Sequence, residues 1–308
     1  MVRVLVCDRI DEEGLNLLRG KGFQVDVKLG LPPEELEKTV GGYDVLLVRG
    51  KTKVTRRVLE AGKGSLKLVV RVGVGLDNVD VEAARQLGIQ VENTPEATVS
   101  SVAELTIGLM LAVARSIPEA DRTVKAGGWS KEKFMGSLLK GKTLGVIGLG
   151  RIGCEVARIA RAMGMRVLFY DVLDRSREAR EIGCEPLESL EKLLSESDVI
   201  TVHVPLTAET RRMIGRRELS LMKPGAILIN TSRGAVVDEQ ALLEFLREGR
   251  LAGAGLDVFE EEPPRSLELV KLPNVVCTPH IGAQTVEAQR EASLLAARKI
   301  LRFFGRMD

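Results

Sequence analysis

The chain has 308 residues, of which 44% are hydrophobic and 29% charged, with a formal net charge of +2. This length predicts two domains, and the composition excludes an intrinsically disordered chain. Basic residues are interspersed with acidic ones, and no apolar run approaches a membrane span or signal-peptide core, so we expect a cytoplasmic protein with neither nucleic-acid nor membrane partners.

The first part of the chain alternates short β-branched runs with helical stretches. Apolar spacing predicts helices at Glu12–Arg19 and Glu34–Val40, and Pro32-Pro33 suits the first turn of the second. This alternation predicts βαβ crossovers and a parallel sheet covered on both faces. The predicted strands are Val2–Cys7, Gln24–Val27, Asp44–Val48, Leu66–Arg71 and Ile89–Glu92.

A second series of strands predicts a second parallel sheet. Long helices are predicted near Ser101–Ala114 and Thr285–Phe304, and we expect the last one to return to the first domain. The fold is therefore predicted as α/β with two doubly wound domains, residues 1–96 plus 284–308 and residues 97–283. The strands of the second series are Thr143–Ile147, Arg166–Tyr170, Val199–Val202, Ala226–Ile229, Gly253–Leu256 and Val275–Cys277.

A glycine-rich turn, Gly148-Leu149-Gly150-Arg151-Ile152-Gly153, follows the first strand of this series and precedes a helix at Arg151–Met163. That context is typical of dinucleotide binding: Gly148 permits the tight turn, Gly150 lets the backbone approach a pyrophosphate, and Gly153 allows close packing of helix on strand. The helix N-terminus then offers free N–H groups to the phosphates.

Asp171 ends the next strand and follows Gly153 at close to the ~20-residue spacing of a ribose-binding carboxylate. A carboxylate there repels a 2′-phosphate, so we expect NAD rather than NADP as the cofactor, although Arg175 and Arg177 lie nearby. This second domain is therefore predicted to be a Rossmann domain. The four cysteines form no CxxC pair, and we expect no bound metal.

Three polar segments follow later strands of the second sheet, where open α/β sheets bind ligands. They are Asn230–Gly234, Leu256–Pro264 and Thr278–Gly282. The chain has only two histidines. One of them, His280, lies in the last segment, whereas His203 has no comparable acid motif and is interpreted as structural.

These motifs, together with Arg71–Asn78, resemble the D-isomer-specific 2-hydroxyacid dehydrogenase family over nearly the whole chain. The strongest marks are Ser232-Arg233-Gly234, Leu256-Asp257-Val258-Phe259, Glu262-Pro263-Pro264 and Pro279-His280-Ile281-Gly282. The resemblance implies a flavodoxin-like substrate domain beside the Rossmann domain. The sequence differs from larger members of the family because it ends at Asp308, directly after the last predicted helix, so we expect a short form without an appended regulatory domain.

The resemblance implies that Arg233, Glu262 and His280 are the catalytic residues. A histidine base removes the hydroxyl proton as hydride leaves the same carbon, a carboxylate orients the imidazole and stabilises the imidazolium, and an arginine fork binds the substrate carboxylate. The residues implied to contact NAD are Val74, Gly148, Gly150, Arg151, Ile152, Gly153, Asp171, Val204, Thr231, Ser232, Asp257, His280, Gly282 and Ala283.

The Arg71–Asn78 turn contains two glycines that can direct backbone N–H groups toward a substrate carboxylate. Arg49 and Arg71 each follow a predicted strand and are candidates to bind a phosphorylated substrate, as the resemblance also implies. Lys131 and Lys133 are weaker candidates. The full predicted substrate set is Arg49, Arg71, Gly73, Val74, Gly75, Asn78, Arg233 and His280.

The leading hypothesis is NAD-dependent oxidation of D-3-phosphoglycerate to 3-phosphohydroxypyruvate, the entry to serine synthesis, as the resemblance implies. One alternative is a reductase of glyoxylate or hydroxypyruvate, or another D-2-hydroxyacid dehydrogenase. An alternative of another class is an NAD-sensing binding protein similar to the corepressors of this family. The segment Lys125–Phe134, which contains the chain's one tryptophan, resembles the family's dimerisation segment. It implies a homodimer, and it leaves open whether two such dimers pair into a homotetramer.

Overall fold

The computed structural model describes residues 1–306. It divides the chain into two compact units. Unit 1 consists of Met1–Val99 and the residues from Ala283 onward, and unit 2 of Ser100–Gly282. The first unit is therefore discontinuous in sequence.

Unit 1 is built on a five-stranded parallel sheet in the order β2-β1-β3-β4-β5. This strand order is the flavodoxin-like form of a doubly wound sheet. Its strands are β1 Arg3–Val6, β2 Gln24–Val27, β3 Val45–Val48, β4 Leu68–Arg71 and β5 Gln90–Asn93. Its first helices are α1 Glu12–Gly20, α2 Pro33–Val40, α3 Arg56–Ala61 and α4 Val81–Gln86.

The last helix, α12 (Val286–Phe303), completes unit 1 and packs against α1. Its N-cap is Thr285, whose hydroxyl accepts the Ala288 N–H. Small apolar residues of α12, such as Ala296, are buried in one core with Val4 and Leu15. The first sheet thus obtains part of its covering layer from the far end of the sequence.

Unit 2 is built on a seven-stranded parallel sheet in the order β12-β11-β10-β9-β6-β7-β8. The order reverses between β6 and β9, as it does at the ligand-binding switch point of a Rossmann sheet. The strands are β6 Thr143–Ile147, β7 Arg166–Tyr170, β8 Glu185–Pro186, β9 Val199–Val202, β10 Ala226–Asn230, β11 Leu251–Leu256 and β12 Val275–Cys277. The helices are α5 Val99–Ala114, α6 Ile117–Lys125, α7 Arg151–Ala162, α8 Ser176–Ile182, α9 Leu190–Glu196, α10 Arg216–Leu221 and α11 Glu239–Arg247.

Helix α5 supplies much of the core on one face of this sheet. The segment Pro95–Ala114 has a mean hydropathy of 1.7 and is long and apolar enough to cross a membrane by those two criteria, but 44% of it is buried inside the protein. Leu109 and Met110 of α5 are buried with Val146 of β6 and Ile229 of β10. The packing is that of a core helix.

The predicted α/β class with two doubly wound parallel sheets is confirmed. The sequence did not predict β8, because this strand is only two exposed residues, Glu185–Pro186, without an apolar pattern. Strand β8 pairs with β7 at Leu168 and Phe169 at the outer edge of the sheet.

Candidate active site

The glycine-rich turn joins β6 to α7 at the switch point of the unit 2 sheet. Gly148 has φ +90°, and a Cβ there would lie 2.8 Å from the carbonyl oxygen of His203. A Cβ on Gly153 would lie 2.1 Å from the carbonyl oxygen of Gly148. Both positions therefore require glycine for local packing.

Gly150 differs from these two glycines, because no atom beyond its own chain neighbours lies within 4 Å of the position its Cβ would occupy. Its φ of −76° is open to any residue. Packing within the described part of the chain thus gives no reason for glycine here. A diphosphate that approaches the backbone at the α7 N-terminus does give one, so this turn fits the pyrophosphate of a dinucleotide. Arg151 and Ile152 follow as the first residues of α7.

Asp171 lies directly after β7, beside this turn, with its side chain 9% exposed. One carboxylate oxygen accepts the Leu149 N–H of the glycine turn at 2.8 Å, and the other accepts the Leu173 N–H at 2.9 Å. Arg175 Nε lies 3.5 Å from the first oxygen. The carboxylate thus fixes the turn in addition to being a candidate ribose ligand.

The loop after β10 places Arg233 by a network around Asn230. The Asn230 side chain accepts hydrogen bonds from the Ser232 N–H and hydroxyl, and it donates to the Arg233 carbonyl oxygen at 2.9 Å. The Arg233 guanidinium donates to the Ser232 carbonyl oxygen at 2.7 Å. A Cβ on Gly234 would overlap the backbone of Phe259, so this glycine lets the two loops meet.

Glu262 and His280 form a hydrogen-bonded pair. His280 Nδ1 lies 2.7 Å from Glu262 Oε2, and Glu262 Oε1 accepts the Phe259 N–H at 3.3 Å. Burial raises the pKa of Glu262, but the hydrogen bond from His280, the charge of His280, the Phe259 N–H and the charge of Arg233 outweigh it and lower the pKa. The ionised carboxylate keeps the proton on Nδ1 of the imidazole and leaves the Nε2 lone pair available as a base.

The backbone of the His280 loop is held by Asp257, whose side chain is fully buried. Its carboxylate accepts the Thr278 hydroxyl at 2.6 Å and the N–H groups of Ile281 and Gly282, both at 2.8 Å. His280 itself has φ +53°, in the left-handed region. These bonds fix the loop in a conformation that a residue other than glycine rarely adopts.

A cavity of about 470 Å³ opens beside the Glu262–His280 pair. Most of its lining is apolar, including Phe259, Pro263 and Val270. Cys277 also lines it, and burial, with the charge of Glu239, raises the pKa of its thiol to about 11.

His203, the other histidine, is separate from this network. Its Nε2 lies 2.9 Å from the Thr201 hydroxyl oxygen. Burial lowers the pKa of His203 to about 3, so the imidazole is neutral at physiological pH. Val204, predicted to contact NAD, follows it and packs beside Gly148.

In unit 1, Arg49 follows β3 and is half buried. Burial lowers the pKa of the Arg49 guanidinium, although Asp8 opposes this. The guanidinium makes no hydrogen bond or ion pair with another residue in the described part of the chain. The Asn78 side-chain amide donates to the carbonyl oxygens of Arg49 and Thr52 at 2.8 and 2.7 Å. Asn78, predicted to bind substrate, therefore also positions the Arg49 loop.

Arg71 and the glycine turn that follows β4 are close together. Gly73 has φ +131°, and a Cβ there would overlap the Arg71 guanidinium. The Gly73 N–H donates to the buried Thr94 hydroxyl at 2.7 Å. Of the two glycine N–H groups predicted to face a substrate anion, that of Gly73 is therefore occupied by Thr94.

Two residues emerge that the sequence analysis did not single out. Arg9 follows β1 and lines a cavity of about 440 Å³ with Arg49 and Gln289, whereas Asp11 and Glu12 add negative charge to the same lining. The rule that directed attention to Arg49, a polar residue after a parallel strand, also applies to Arg9. Thr106, in the middle of α5, contacts Thr231 and gave no sequence signal.

Other predicted cofactor positions lie in segments already described. Val74 is exposed, and the Gly282 carbonyl oxygen accepts the buried Ser101 hydroxyl at 2.6 Å. Ala283 belongs to unit 1.

Among the residues that the structure describes, no group of three or more His, Cys, Asp or Glu side chains could hold a metal ion.

Taken together, the switch-point turn, the acid after β7 and the paired base define unit 2 as the dinucleotide-binding part of a dehydrogenase. The sequence model described as "D-isomer specific 2-hydroxyacid dehydrogenase, NAD binding domain" matches residues 107–282. The chain belongs to the D-isomer-specific 2-hydroxyacid dehydrogenase family, and its cofactor is NAD.

The most similar curated relatives include enzymes with different substrates. D-3-phosphoglycerate dehydrogenase of Methanocaldococcus jannaschii is 49% identical over 97% of this chain and 57% of its own length. Hydroxypyruvate reductase of Thermotoga maritima is 46% identical over 98% of both chains. This chain spans 57%, 57% and 54% of the length of three curated phosphoglycerate dehydrogenases that it matches.

Solved structures agree in fold over nearly the whole chain. The TT0316 protein from Thermus thermophilus has a TM-score of 0.91 and 42% identity, covering 99% of this chain and 98% of its own. D-lactate dehydrogenase from Aquifex aeolicus, solved with NAD and lactic acid, has a TM-score of 0.86 and 32% identity, covering 99% and 96%.

Proposed function

We propose that the protein is an NAD-dependent D-2-hydroxyacid dehydrogenase that oxidises D-3-phosphoglycerate to 3-phosphohydroxypyruvate, a step that the relatives suggest serves serine biosynthesis. The observation that carries the dehydrogenase proposal is the Glu262–His280 pair, with Nδ1 and Oε2 2.7 Å apart, near the charge of Arg233. Such a pair is suited to accept a proton from a substrate hydroxyl at Nε2.

In the proposed mechanism, the Gly148–Gly153 turn and Asp171 would hold NAD, which would supply the hydride acceptor for the substrate carbon that bears the hydroxyl. His280 Nε2 takes the hydroxyl proton as this C–H bond breaks, so the alcohol loses one hydride and one proton and becomes a ketone. Glu262 stabilises the imidazolium that forms. Arg233 binds the substrate carboxylate through its guanidinium fork and favours negative charge on the reacting oxygen.

The phosphorylated substrate is proposed on the arginines of unit 1. Arg9 and Arg49 line one cavity, and neither guanidinium makes a hydrogen bond or ion pair with another described residue. Arg49 is half-buried, and a half-buried cation without a protein partner favours binding of an anion; Arg9 is exposed. Arg71, beside Gly73, and the Val74 and Gly75 amides are further candidates for anionic groups of the substrate.

A reductase of hydroxypyruvate or glyoxylate is the second candidate. Two observations favour it: the Thermotoga maritima relative matches 98% of both chains, and Asp11 and Glu12 place negative charge on the cavity that contains Arg9 and Arg49. Glu12, however, is paired with Arg19 at 2.9 Å, and Asp11 caps α1 by accepting the Glu13 N–H. An NAD-sensing binding protein remains the alternative of another class.

The substrate question is tested by steady-state kinetics with NADH and three keto acids: 3-phosphohydroxypyruvate, hydroxypyruvate and glyoxylate. We expect the highest kcat/KM for the phosphorylated substrate. Arg9→Ala and Arg49→Ala should each lower that value about tenfold or more, consistent with loss of a charge-assisted hydrogen bond, and should spare hydroxypyruvate. Arg57→Ala, an exposed arginine of α3, is the matched control. A higher kcat/KM for either unphosphorylated acid would reject the phosphoglycerate proposal.

We also propose that the protein forms a homodimer in the cytoplasm through the segment Lys125–Phe134 and its flanks. Large apolar side chains are exposed in this region: Trp129 is 86% and Met135 90% exposed on the single chain, which favours a protein contact there. Analytical ultracentrifugation tests this. A Trp129→Glu variant should shift the dimer toward monomer, whereas a tetramer would require a second interface.

A further inference from the structure

One half-buried carboxylate beside the loop after β11 has no role in the proposed mechanism. Glu239 is the first residue of α11, a helix that packs its apolar face into the core of unit 2. Its Oε1 accepts the N–H of Glu260 at 2.5 Å. Glu260 lies two residues before Glu262. The bond therefore ties the start of a core helix to the loop that carries the carboxylate partner of His280.

The peptide group that joins Phe259 to Glu260 is held from two sides. A Cβ on Gly234 would lie 1.9 Å from the carbon, 2.2 Å from the oxygen and 2.4 Å from the nitrogen of this group. The bare glycine backbone next to Arg233 thus lies directly against it. The N–H of the same group donates to Glu239, so a rotated peptide group would lose this acceptor.

The orientation of this peptide group also affects Glu262. The N–H of Phe259 donates to Glu262 Oε1 at 3.3 Å, and Glu262 Oε2 lies 2.7 Å from His280 Nδ1. Phe259 therefore lies between two hydrogen bonds, one from its own N–H to Glu262 and one from the next N–H to Glu239. If Glu239 no longer accepts, the peptide group after Phe259 is free to rotate, and the chain that leads to Glu262 rotates with it.

A second contact of Glu260 lies on the surface and holds the loop less firmly. Arg212 Nη2 donates to Glu260 Oε1 at 2.8 Å, but the two side chains are 54% and 28% exposed. Solvent screens such an ion pair, so it contributes little to the position of the loop. The bond from the Glu260 backbone to Glu239 is therefore the stronger of the two contacts.

We propose that Glu239 is a positioning residue: by accepting the Glu260 N–H, it holds the loop in the conformation in which Glu262 keeps the proton of His280 on Nδ1. The proposal rests on the proposed role of the Glu262–His280 pair. Glu239 supplies an oxygen acceptor rather than a charge. Burial and the charge of Glu260 raise the pKa of Glu239, although the Glu260 N–H and Arg212 oppose this, and a carboxyl group has an accepting oxygen in either protonation state.

The test reads the tautomer of His280 by NMR without cofactor, substrate or turnover. The chain has two histidines, so selective ¹⁵N labelling of histidine gives a spectrum of two imidazoles, whose ring shifts show which nitrogen bears the proton. Spectra are recorded at about pH 9, above the ordinary histidine pKa of ~6.5. We expect the Nδ1–H form of His280 in the wild-type protein. His203, whose Nε2 contacts the Thr201 hydroxyl, is the internal reference.

Glu239→Ala removes the acceptor. The ratio of the Nδ1–H to the Nε2–H form of His280 should fall about tenfold, the size of one good hydrogen bond. With the 2-hydroxy acid that the wild-type protein oxidises fastest, kcat should fall about tenfold or more. NAD affinity should stay within about twofold, because Asp171 and the glycine turn are separate from this loop.

Glu239→Gln keeps an oxygen at the same place and removes the charge. It should retain the wild-type tautomer and a kcat within about threefold of the wild-type value, a rescue that a role of the Glu239 charge would not allow. Glu248→Ala, which removes an exposed glutamate at the other end of α11, is the matched control and should leave both readouts unchanged.

Two results would overturn the proposal: an unchanged His280 tautomer in a folded Glu239→Ala variant, and a Glu239→Gln variant as impaired as Glu239→Ala. If Glu239→Ala does not fold, Glu239→Asp, which withdraws the carboxylate by one methylene, is measured in the same way. A lowered Nδ1–H fraction in Glu239→Asp supports the proposal, and a wild-type fraction overturns it. A wild-type protein without dehydrogenase activity would reject the proposed function, whereas the tautomer decides the positioning proposal.

Discussion

Replacing Glu262 with glutamine would test the catalytic pair most directly. The amide oxygen of the new side chain can still accept a hydrogen bond from Nδ1 of His280, so the geometry of the pair is preserved, but the negative charge is removed. The charge matters only when the imidazole becomes positive, that is, after the substrate proton has arrived. The variant thus separates orientation of the base from electrostatic stabilisation.

The size of the effect follows from the geometry. At the 2.7 Å separation of Nδ1 and Oε2, Coulomb's law gives about 6 kcal/mol at an effective dielectric constant of about 20 and about 1.5 kcal/mol in water. The side chains of His280 and Glu262 are 47% and 39% exposed, so solvent screens the pair and the lower half of this range applies. About 3 kcal/mol corresponds to a loss on the order of 100-fold in rate.

The assay is kcat/KM at saturating cofactor in both directions, followed by NADH absorbance. Because the equilibrium constant of the reaction does not change, Glu262→Gln should lower kcat/KM by the same factor for oxidation and reduction. NAD affinity should stay within about twofold. Glu261→Gln, which removes an equal charge from the neighbouring residue, is the control and should retain activity. A kcat/KM for Glu262→Gln within about threefold of the wild-type value would refute the role of this carboxylate.

The remaining predictions concern the cofactor turn and stability. Gly150→Ala should lower NAD affinity about tenfold or more without destabilising the fold, whereas Gly153→Ala should destabilise the fold by about 1–3 kcal/mol through the clash of its Cβ. Calorimetry measures NAD binding, and urea unfolding measures stability. A destabilised Gly150→Ala together with a stable Gly153→Ala that binds NAD weakly would contradict the geometry. Asp171→Asn keeps an oxygen for the glycine turn but loses the charge that repels a 2′-phosphate. The ratio of kcat/KM for NAD to kcat/KM for NADP should therefore fall about tenfold or more. An unchanged ratio would contradict a role of the Asp171 charge in excluding NADP. Burial raises the pKa of Asp198, but the hydrogen bonds from the Thr143 N–H and Lys223 outweigh it and lower the pKa. This stabilisation is present above the unfolded-state pKa of about 3.9 and is lost as pH falls through the folded-state pKa. The stability difference between the wild-type protein and Asp198→Asn should therefore be large at pH 7 and vanish well below about pH 4, and a difference independent of pH would contradict this role.

Much of the fold could be predicted because each of its determinants is local in sequence. All residues of strands such as β3 and β10 are buried, and their sequences are continuous or nearly continuous apolar stretches. Apolar spacing therefore predicts an alternation of buried parallel strands and helices. The turn at Gly148–Gly153 was predictable because its glycines meet separate local requirements. Strand β8 was not predictable, because two exposed residues contain no pattern.

The functional details that were not predictable depend on long-range contacts. The Gly73 N–H is occupied by the Thr94 hydroxyl, and no spacing rule links these two residues. The contact between the Thr106 and Thr231 hydroxyls likewise joins a helix and a loop that are far apart in sequence. Sequence motifs thus predicted the residue types of the site, whereas the roles of individual donors and acceptors follow from the structure and stay predictions until tested.

The proposed function is tested most directly by incubating the purified protein with NAD and D-3-phosphoglycerate and following NADH formation, with the 3-phosphohydroxypyruvate produced trapped by a carbonyl reagent. The account predicts NADH formation that is abolished in His280→Ala, a variant that should still bind NAD. It also predicts that D-glycerate, the same acid without the phosphate, reacts with a kcat/KM at least about tenfold lower. Faster oxidation of D-glycerate than of D-3-phosphoglycerate, or undiminished turnover by His280→Ala, would contradict it.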